Sequence, residues 1–155
     1  MSAYLDASVL IPTLIEEPGS PAVLKLLDSW PGDLRVSDFA AAEVASGLSR
    51  LVRAAYFDRE DATIRLADFD TWRAGATLPC DIRASDMRLA GEYVRRFELM
   101  LRAPDALHAA ICRRLDLTLI TLDRRLAAAG EALGLRVHVP GAIPSARTVP
   151  SPPSR

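Results

Sequence analysis

The chain has 155 residues and half of them are hydrophobic, which is enough apolar surface for one core but not for two. Its 19 basic and 20 acidic residues give a net charge of −1, so no overall positive field indicates a nucleic-acid partner, and any such contact must depend on local patches. Lys25 is the single lysine. The excess of arginine suits phosphate binding, because a guanidinium can hold two oxygens at once, but genomic base composition explains it equally well.

Cysteine usage and the first apolar run bear on the cellular compartment. Cys80 and Cys112 are too few and too far apart for a zinc knuckle or a disulfide framework, so we expect two buried core thiols in a reducing compartment. Residues 1–4 lack a basic region, and Asp6 and Pro12 break the run that follows, unlike a signal peptide. No stretch approaches the length needed to cross a bilayer. We therefore expect a cytoplasmic protein without a membrane partner.

The first half of the chain alternates short apolar strands with helices. A strand begins at Tyr4 and passes near Ser8 into a helix that reaches Ile15. Ser20 is a candidate hydroxyl cap for a second helix, which residues 30–32 end. The next predicted elements are a strand over 34–36, a helix capped by Ser37 that runs to about Ala55, a helix over 58–74 that ends at Gly75, and a strand over 78–82.

The second half repeats the alternation and completes the fold prediction. Its predicted elements are helices over 86–101 and 105–114, a strand over 117–121, a helix over 123–133 closed by Gly134, and a strand over 135–139. Short apolar strands between helices indicate an α/β fold, with a parallel sheet covered by helices on both faces. We predict one domain over residues 1–139 and a disordered tail over 140–155, where proline and serine dominate without periodicity.

Several sites that α/β domains commonly carry are absent from the sequence. There is no Gly-x-x-x-x-Gly-Lys-Ser/Thr loop, no Gly-x-Gly-x-x-Gly after a strand, no Gly-x-Ser-x-Gly elbow and no His-Glu-x-x-His. Phosphoryl-transfer domains with a first-strand aspartate need a lysine near a late strand, whereas Lys25 lies on an early helix. A serine or cysteine triad would depend on His108 or His138, neither of which has a supporting motif.

What remains is a set of carboxylates in unusual places. Asp6 interrupts an apolar strand at its carboxyl end, where a charge is costly to bury and where parallel sheets bind ligands. Asp123 repeats this pattern after the late strand, and either residue could instead be a simple helix cap. Asp105 follows Pro104 in a first helical turn, where the helix dipole favours an acid in any case. Glu43 is the one acid in an alanine-rich run, which indicates a helix face packed closely against another part of the chain.

The order and surroundings of these four acids resemble the PIN-domain ribonucleases, especially the toxin subunits of VapBC toxin–antitoxin pairs. The resemblance covers residues 4–139 and implies a PIN-like domain. The family's acids match Asp6, Glu43, Asp105 and Asp123 in that order, and Asp123 is the loosest match, because Arg124-Arg125-Leu126 follows where the family often has an aromatic residue. The motifs that carry the resemblance are Tyr4-Leu5-Asp6-Ala7-Ser8, Glu43 on the helix after the second strand, Ala103-Pro104-Asp105-Ala106-Leu107-His108-Ala109, and Thr121-Leu122-Asp123.

Four converging carboxylates would need cations. They repel each other by roughly 3 kcal/mol per pair at about 5 Å with an effective dielectric near 20. Ligands that are all oxygens favour Mg²⁺ or Mn²⁺ over zinc. We expect Asp6 and Asp105 to be the principal metal ligands, with Glu43 and Asp123 completing the pocket directly or through water. The resemblance implies hydrolysis of RNA to 5′-phosphate and 3′-hydroxyl ends.

Residues beside the acids are candidates for supporting roles. Ser8 and Thr121 would support the site by hydrogen bonds, or act as local caps. Arg102 is a candidate phosphate contact, or else a solvated loop arginine. The resemblance also implies a homodimer and a VapB-like antitoxin whose C-terminal segment lies across the acidic groove. Two alternatives stay open, which are a housekeeping RNA-processing PIN nuclease without antitoxin and a non-catalytic PIN-like module that binds RNA or protein.

Overall fold

The computed structural model describes residues 2–141, so all but the first two residues of the predicted tail lie outside the described part. Five strands lie in this range: β1 (Ala3–Leu5), β2 (Leu34–Ser37), β3 (Leu78–Cys80), β4 (Thr118–Ile120) and β5 (Val137–His138). The α-helices within it are α1 (Ala7–Leu10), α2 (Ser20–Ser29), α3 (Asp38–Arg53), α4 (Arg59–Ala76), α5 (Ala84–Arg95), α6 (Ala103–Leu115) and α7 (Arg124–Ala132). Short 3₁₀ turns lie at Ile11–Thr13 and Phe97–Leu99. None of these helices is long and apolar enough to cross a membrane.

The strands form one parallel sheet in the order β3-β2-β1-β4-β5. β1 is the central strand, and its Tyr4 pairs in register with Arg35 of β2 and with Leu119 of β4. The chain builds outward from β1 in one direction through β2 and β3, and then in the other direction through β4 and β5. The carboxyl edge between β1 and β4 is therefore the switch point at which ligands bind in sheets of this type.

Helices cover both faces of the sheet, which confirms the predicted fold class. Side chains alternate along β1, so Tyr4 packs into a core shared with α5, α6 and α7, whereas Ala3 and Leu5 pack into a core shared with α1 to α4. Cys80 and Cys112 are buried and unpaired, as the sequence predicts.

Ser20 does not have the capping role that the sequence indicates. It is the first residue of α2, and the N-cap position is taken by Gly19. The Ser20 hydroxyl donates instead to the carbonyl oxygens of Pro12 (2.8 Å) and Ile15 (3.1 Å). It therefore closes the preceding loop rather than the helix.

Two predicted helix ends are also wrong. α4 continues through Gly75 to Ala76, because glycine weakens a helix without being obliged to end it. The helix predicted over 86–101 stops at Arg95, and Met100 has a left-handed backbone with φ of 52°. Reversing the chain at Met100 lets α6 start three residues later and pack along α5.

A buried ion pair joins α5 to α6. Asp86, whose side chain is 1% exposed, accepts hydrogen bonds from Arg114 Nε at 2.6 Å and Nη2 at 2.9 Å. Its Oδ2 also accepts from the Arg83 amide at 2.9 Å. Burial raises the pKa of Asp86, but the hydrogen bonds from Arg114 and Arg83 outweigh it and hold the pKa below its ordinary value.

Arg114→Ala is expected to lower the free energy of unfolding by about 3 kcal/mol, because it leaves a buried carboxylate without its cation. Urea denaturation at neutral pH measures the loss. Arg88→Ala is the matched control, since Arg88 is exposed on α5 and its replacement should change stability by less than about 0.5 kcal/mol. Equal effects of the two substitutions would show that the pair does not stabilise the packing of α5 on α6.

Candidate active site

Asp6 lies at the carboxyl end of the central strand and is 4% exposed. It is the N-cap of α1, where its Oδ1 accepts hydrogen bonds from the Val9 amide at 3.3 Å and from the Ser8 hydroxyl at 2.7 Å. Its Oδ2 accepts from the Thr121 hydroxyl at 2.7 Å. Both oxygens are thus held by neutral donors, and two of these are the hydroxyls of Ser8 and Thr121, which were expected to support the site.

The charge of Asp6 is not balanced by an ion pair with a lysine or arginine of the described range. Burial raises the pKa of this carboxyl, and the opposing influence of His108 and of the three hydrogen bonds does not restore its ordinary value. Between residues 2 and 141, no lysine or arginine lies within ion-pair distance of Asp6. A buried carboxylate in this condition gains stability from a cation that enters from outside.

The loop after β4 is joined to the Asp6 turn by the same two hydroxyls. Thr121 Oγ1 accepts from the Asp123 amide at 3.0 Å, and Ser8 Oγ accepts from the Leu122 amide at 2.8 Å. Asp123 is exposed and is the N-cap of α7, where its Oδ1 accepts from the Arg125 amide at 2.7 Å. The structure therefore fixes the position of Asp123 relative to Asp6 across the two neighbouring strand ends.

Asp105 comes to this edge on α6. Because α6 leads into β4, it runs antiparallel to the strands, and its first turn lies at their carboxyl ends. Asp105 Oδ2 accepts from the Arg102 amide at 3.3 Å. Burial raises the pKa of Asp105, the Arg102 amide lowers it, and the charge of Asp123 raises it further. Asp105 and Asp123 are thus close enough to repel each other.

Glu43, on α3, is bound to a histidine rather than to the other acids. Its Oε2 lies 2.7 Å from His108 Nε2, and its side chain is 28% exposed. His108 lies one helical turn after Asp105, and a positive charge on its imidazole would lower the pKa values of Asp6 and Asp105. The imidazole therefore lies among three of the four predicted acids.

His108 and Tyr4 were not predicted as site residues. The Tyr4 hydroxyl lies 2.8 Å from His108 Nδ1. One sequence signal could have identified His108: a histidine three positions after Asp105 occupies the same helix face. Tyr4 precedes Asp6 in the strand, but a buried tyrosine is ordinary in a core, so its role follows from the structure alone.

Three exposed arginines lie close in the sequence to two of the acids. Arg102 precedes Asp105, and Arg124 and Arg125 follow Asp123; in the described range none of them forms an ion pair. A groove of about 780 Å³ lies elsewhere, between α2 and α4, and contains none of the four acids. The four acids thus lie outside this groove, and Asp105 and Asp123 are flanked in the sequence by exposed arginines.

The donor set fits a hard divalent cation with few protein ligands. The available donors are carboxylate and hydroxyl oxygens, which bind Mg²⁺ and Mn²⁺. In the part of the chain that the structure describes, no three His, Cys, Asp or Glu side chains form a ready cage for a metal. Magnesium does not require one, since it usually keeps several waters and binds one or two carboxylates. Of the four predicted acids, Asp6 and Asp105 are the two whose pKa values are raised above the ordinary value by burial.

Comparison with known proteins gives one family and a set of related folds. The model of the PIN domain family matches residues 3–132. A solved structure of Mycobacterium tuberculosis VapC20, a sarcin-ricin loop cleaving toxin, is 19% identical, with a TM-score of 0.67 over 83% of this chain and 95% of that one.

Two further solved structures give similar values. FitAcB from Neisseria gonorrhoeae is 23% identical, with a TM-score of 0.61 over 88% of this chain and 96% of that one. VapBC2 from Rickettsia felis, bound to a promoter DNA fragment, is 16% identical, with a TM-score of 0.65 over 90% and 98%. At these identities the likeness establishes a shared fold. No curated protein sequence matches the chain.

Asp6→Asn is expected to stabilise the chelator-treated protein at neutral pH, because it removes a buried charge that lacks a cation and keeps an acceptor for Ser8 and Val9. The gain in thermal midpoint should shrink as the pH falls through the raised pKa of Asp6, since the wild-type carboxyl then becomes neutral as well.

Asp86→Asn is the matched control, and it should destabilise the protein because Asp86 has Arg114 as its partner. Differential scanning calorimetry over a pH series measures both variants. A loss of stability for Asp6→Asn at neutral pH, similar to that of Asp86→Asn, would contradict the electrostatic account of the Asp6 turn.

Proposed function

Because the chain belongs to the PIN domain family, we propose that it is a metal-dependent endoribonuclease and the toxin of a type II toxin–antitoxin pair. The observation that carries the proposal is the Asp6 carboxylate, which is buried at the switch point of the sheet and forms no ion pair with a lysine or arginine of residues 2–141. Such a group is unfavourable in an isolated domain and becomes favourable when a cation binds.

Asp6 and Asp105 would hold a Mg²⁺ or Mn²⁺ ion, and Glu43 and Asp123 would complete the pocket directly or through water. A bound ion of this kind lowers the pKa of a water and neutralises charge on a phosphodiester. Ser8 and Thr121 hold both oxygens of Asp6 in place, so that little reorganisation is needed when the ion binds.

The arginines supply the contacts to the substrate. Arg102, Arg124 and Arg125 would bind backbone phosphates on either side of the scissile bond, since they are exposed beside Asp105 and Asp123. Their number is small, so binding should weaken with salt but only moderately. RNA is the proposed polymer because a fold relative, VapC20, is named as a toxin that cleaves the sarcin-ricin loop.

A protein partner is the second part of the proposal. Structures of FitAcB and VapBC2, and VapBC-1 from nontypeable Haemophilus influenzae, share the fold. We propose a VapB-like antitoxin that places an arginine among the acids, where a guanidinium would compete with the metal. We also propose a homodimer, and the exposed side chains of Phe97 and Met100, 84% and 70% accessible, are apolar surface that such an interface would cover.

A non-catalytic binding module is the second candidate function. Asp6, Asp105 and Asp123 each accept backbone hydrogen bonds at the start of a helix, so each has a structural use. Calorimetry separates the two candidates: an inert module would not bind Mg²⁺ or Mn²⁺ at millimolar concentrations.

The purified protein should cleave structured RNA when Mg²⁺ or Mn²⁺ is present and should stop when a chelator is added. Asp6→Asn and Asp105→Asn should each lower the cleavage rate by at least about 100-fold, because losing several kcal/mol of transition-state stabilisation costs a factor of 10 per 1.4 kcal/mol. Gel assays measure the rates, and end analysis should find 5′-phosphates.

Asp70→Asn is the matched control for these two substitutions. Asp70 is exposed on α4 and is not one of the four acids, so its replacement should leave cleavage unchanged. Undiminished cleavage by folded Asp6→Asn and Asp105→Asn would remove the proposed mechanism.

Expression of the wild-type chain in a bacterial host should arrest growth, whereas Asp105→Asn should not. Co-expression of a small DNA-binding protein encoded beside it should restore growth, and sequencing of RNA ends in the cell would identify the target. Cleavage without growth arrest would instead indicate a housekeeping nuclease that has no antitoxin.

A further inference from the structure

A chain of short hydrogen bonds connects the end of β2 with Glu43. Ser37 Oγ lies 2.7 Å from the Tyr4 hydroxyl, which lies 2.8 Å from His108 Nδ1, and His108 Nε2 lies 2.7 Å from Glu43 Oε2. Ser37 and Tyr4 are fully buried, and His108 is 3% exposed. The ring centroid of Phe39, a residue of α3, lies 5.3 Å from the centroid of the imidazole. The imidazole is thus fixed by packing as well as by hydrogen bonds.

The number of protons available assigns a donor and an acceptor to each hydrogen bond of this series. The Ala40 amide donates to Ser37 Oγ at 3.1 Å, so the Ser37 proton is free to point to Tyr4. Ser37 then donates to Tyr4, Tyr4 donates to Nδ1, and Nε2 carries the proton that is donated to Glu43. Every group in the chain makes the bonds that its protons allow, and Glu43 accepts as a carboxylate.

The opposite direction leaves a buried proton without a partner. If Nδ1 carried a proton, it would donate to the Tyr4 oxygen, and Tyr4 would donate to Ser37. The Ser37 proton would then need a further acceptor, and its hydroxyl contacts only Tyr4 and the Ala40 amide among residues 2–141. An unsatisfied hydroxyl in a fully buried position costs about 1–3 kcal/mol.

We propose that His108 is a positioning residue for Glu43: Ser37 and Tyr4 fix the tautomer that carries its proton on Nε2, and this N–H holds Oε2 of the carboxylate. Oε1 makes no hydrogen bond within the described range and is left available to a cation at the acidic edge. The tautomer of His108 is inferred from the buried contacts alone, whereas its effect on cation binding rests on the function proposed above.

Nitrogen-15 NMR of the imidazole tests the tautomer in the chelator-treated protein. The sequence has two histidines, so the His138→Gln variant, which changes an exposed residue of β5, assigns the signals. At neutral pH we expect His108 to have a protonated Nε2 and an unprotonated Nδ1. In Tyr4→Phe that preference should be lost. A proton on Nδ1 in the wild type, whether or not Nε2 also carries one, would overturn the proposal.

Calorimetric titration with Mn²⁺ tests the consequence for the cation. His108→Leu and Tyr4→Phe should weaken Mn²⁺ affinity by about 10-fold to 100-fold, which is the usual effect of losing a residue that orients a ligand. His108→Gln should bind Mn²⁺ better than His108→Leu, because its amide can still donate near the position of Nε2. Equal affinities for the wild type and folded His108→Leu would overturn the role in positioning.

The two measurements separate this proposal from the proposed nuclease function. The NMR result holds whether or not the protein cleaves RNA. If the wild type fails to bind Mn²⁺, the nuclease proposal fails and the role of His108 in positioning Glu43 for a cation fails with it, while the tautomer is still decided. If the wild type binds Mn²⁺ and cleaves RNA but the variants match it, the positioning role alone is wrong.

Discussion

The rest of the site depends on the burial of one carboxylate, Asp6, at the end of the central strand. Water is excluded on both sides because β1 lies between β2 and β4 and helices cover both faces of the sheet. Two hydroxyls from distant parts of the chain therefore take over the role of water as hydrogen-bond donors. The same two hydroxyls also hold the loop after β4, so the position of Asp123 is a consequence of how Asp6 is solvated.

The acids of this edge serve the backbone and the proposed chemistry together. Asp6, Asp105 and Asp123 bind amides at the starts of α1, α6 and α7, which fixes one oxygen of each carboxylate. A carboxylate has about four lone-pair positions, so such a bond leaves others for a cation. Helix capping and metal binding are thus compatible uses of one side chain, and evidence for the first does not argue against the second.

Local rules account for most of the fold and for part of the site. Apolar strands, Ser37 as a cap and Asp123 at a strand-to-helix junction all follow from short-range patterns, and the parallel sheet follows from their alternation. The helix ends near Gly75 and Met100 were predicted wrongly because the packing of α4 and α6 overrides the local preference there. The contact between Tyr4 and His108 joins residues 104 positions apart, and no spacing in the sequence indicates it. The sequence therefore predicts four candidate acids but not the contact that holds Glu43.

Because β1 lies beside β4 in the sheet, the site can form only late in the synthesis of the chain. β1 leaves the ribosome first, yet its neighbour β4 and the Thr121 hydroxyl are made more than a hundred residues later. Until then Asp6 has no second strand beside it and stays hydrated, and Asp105, His108 and Asp123 are made only shortly before or after β4. Contacts between such distant residues form slowly in folding. The proposed activity would therefore arise in a single late step, when β4 enters the sheet.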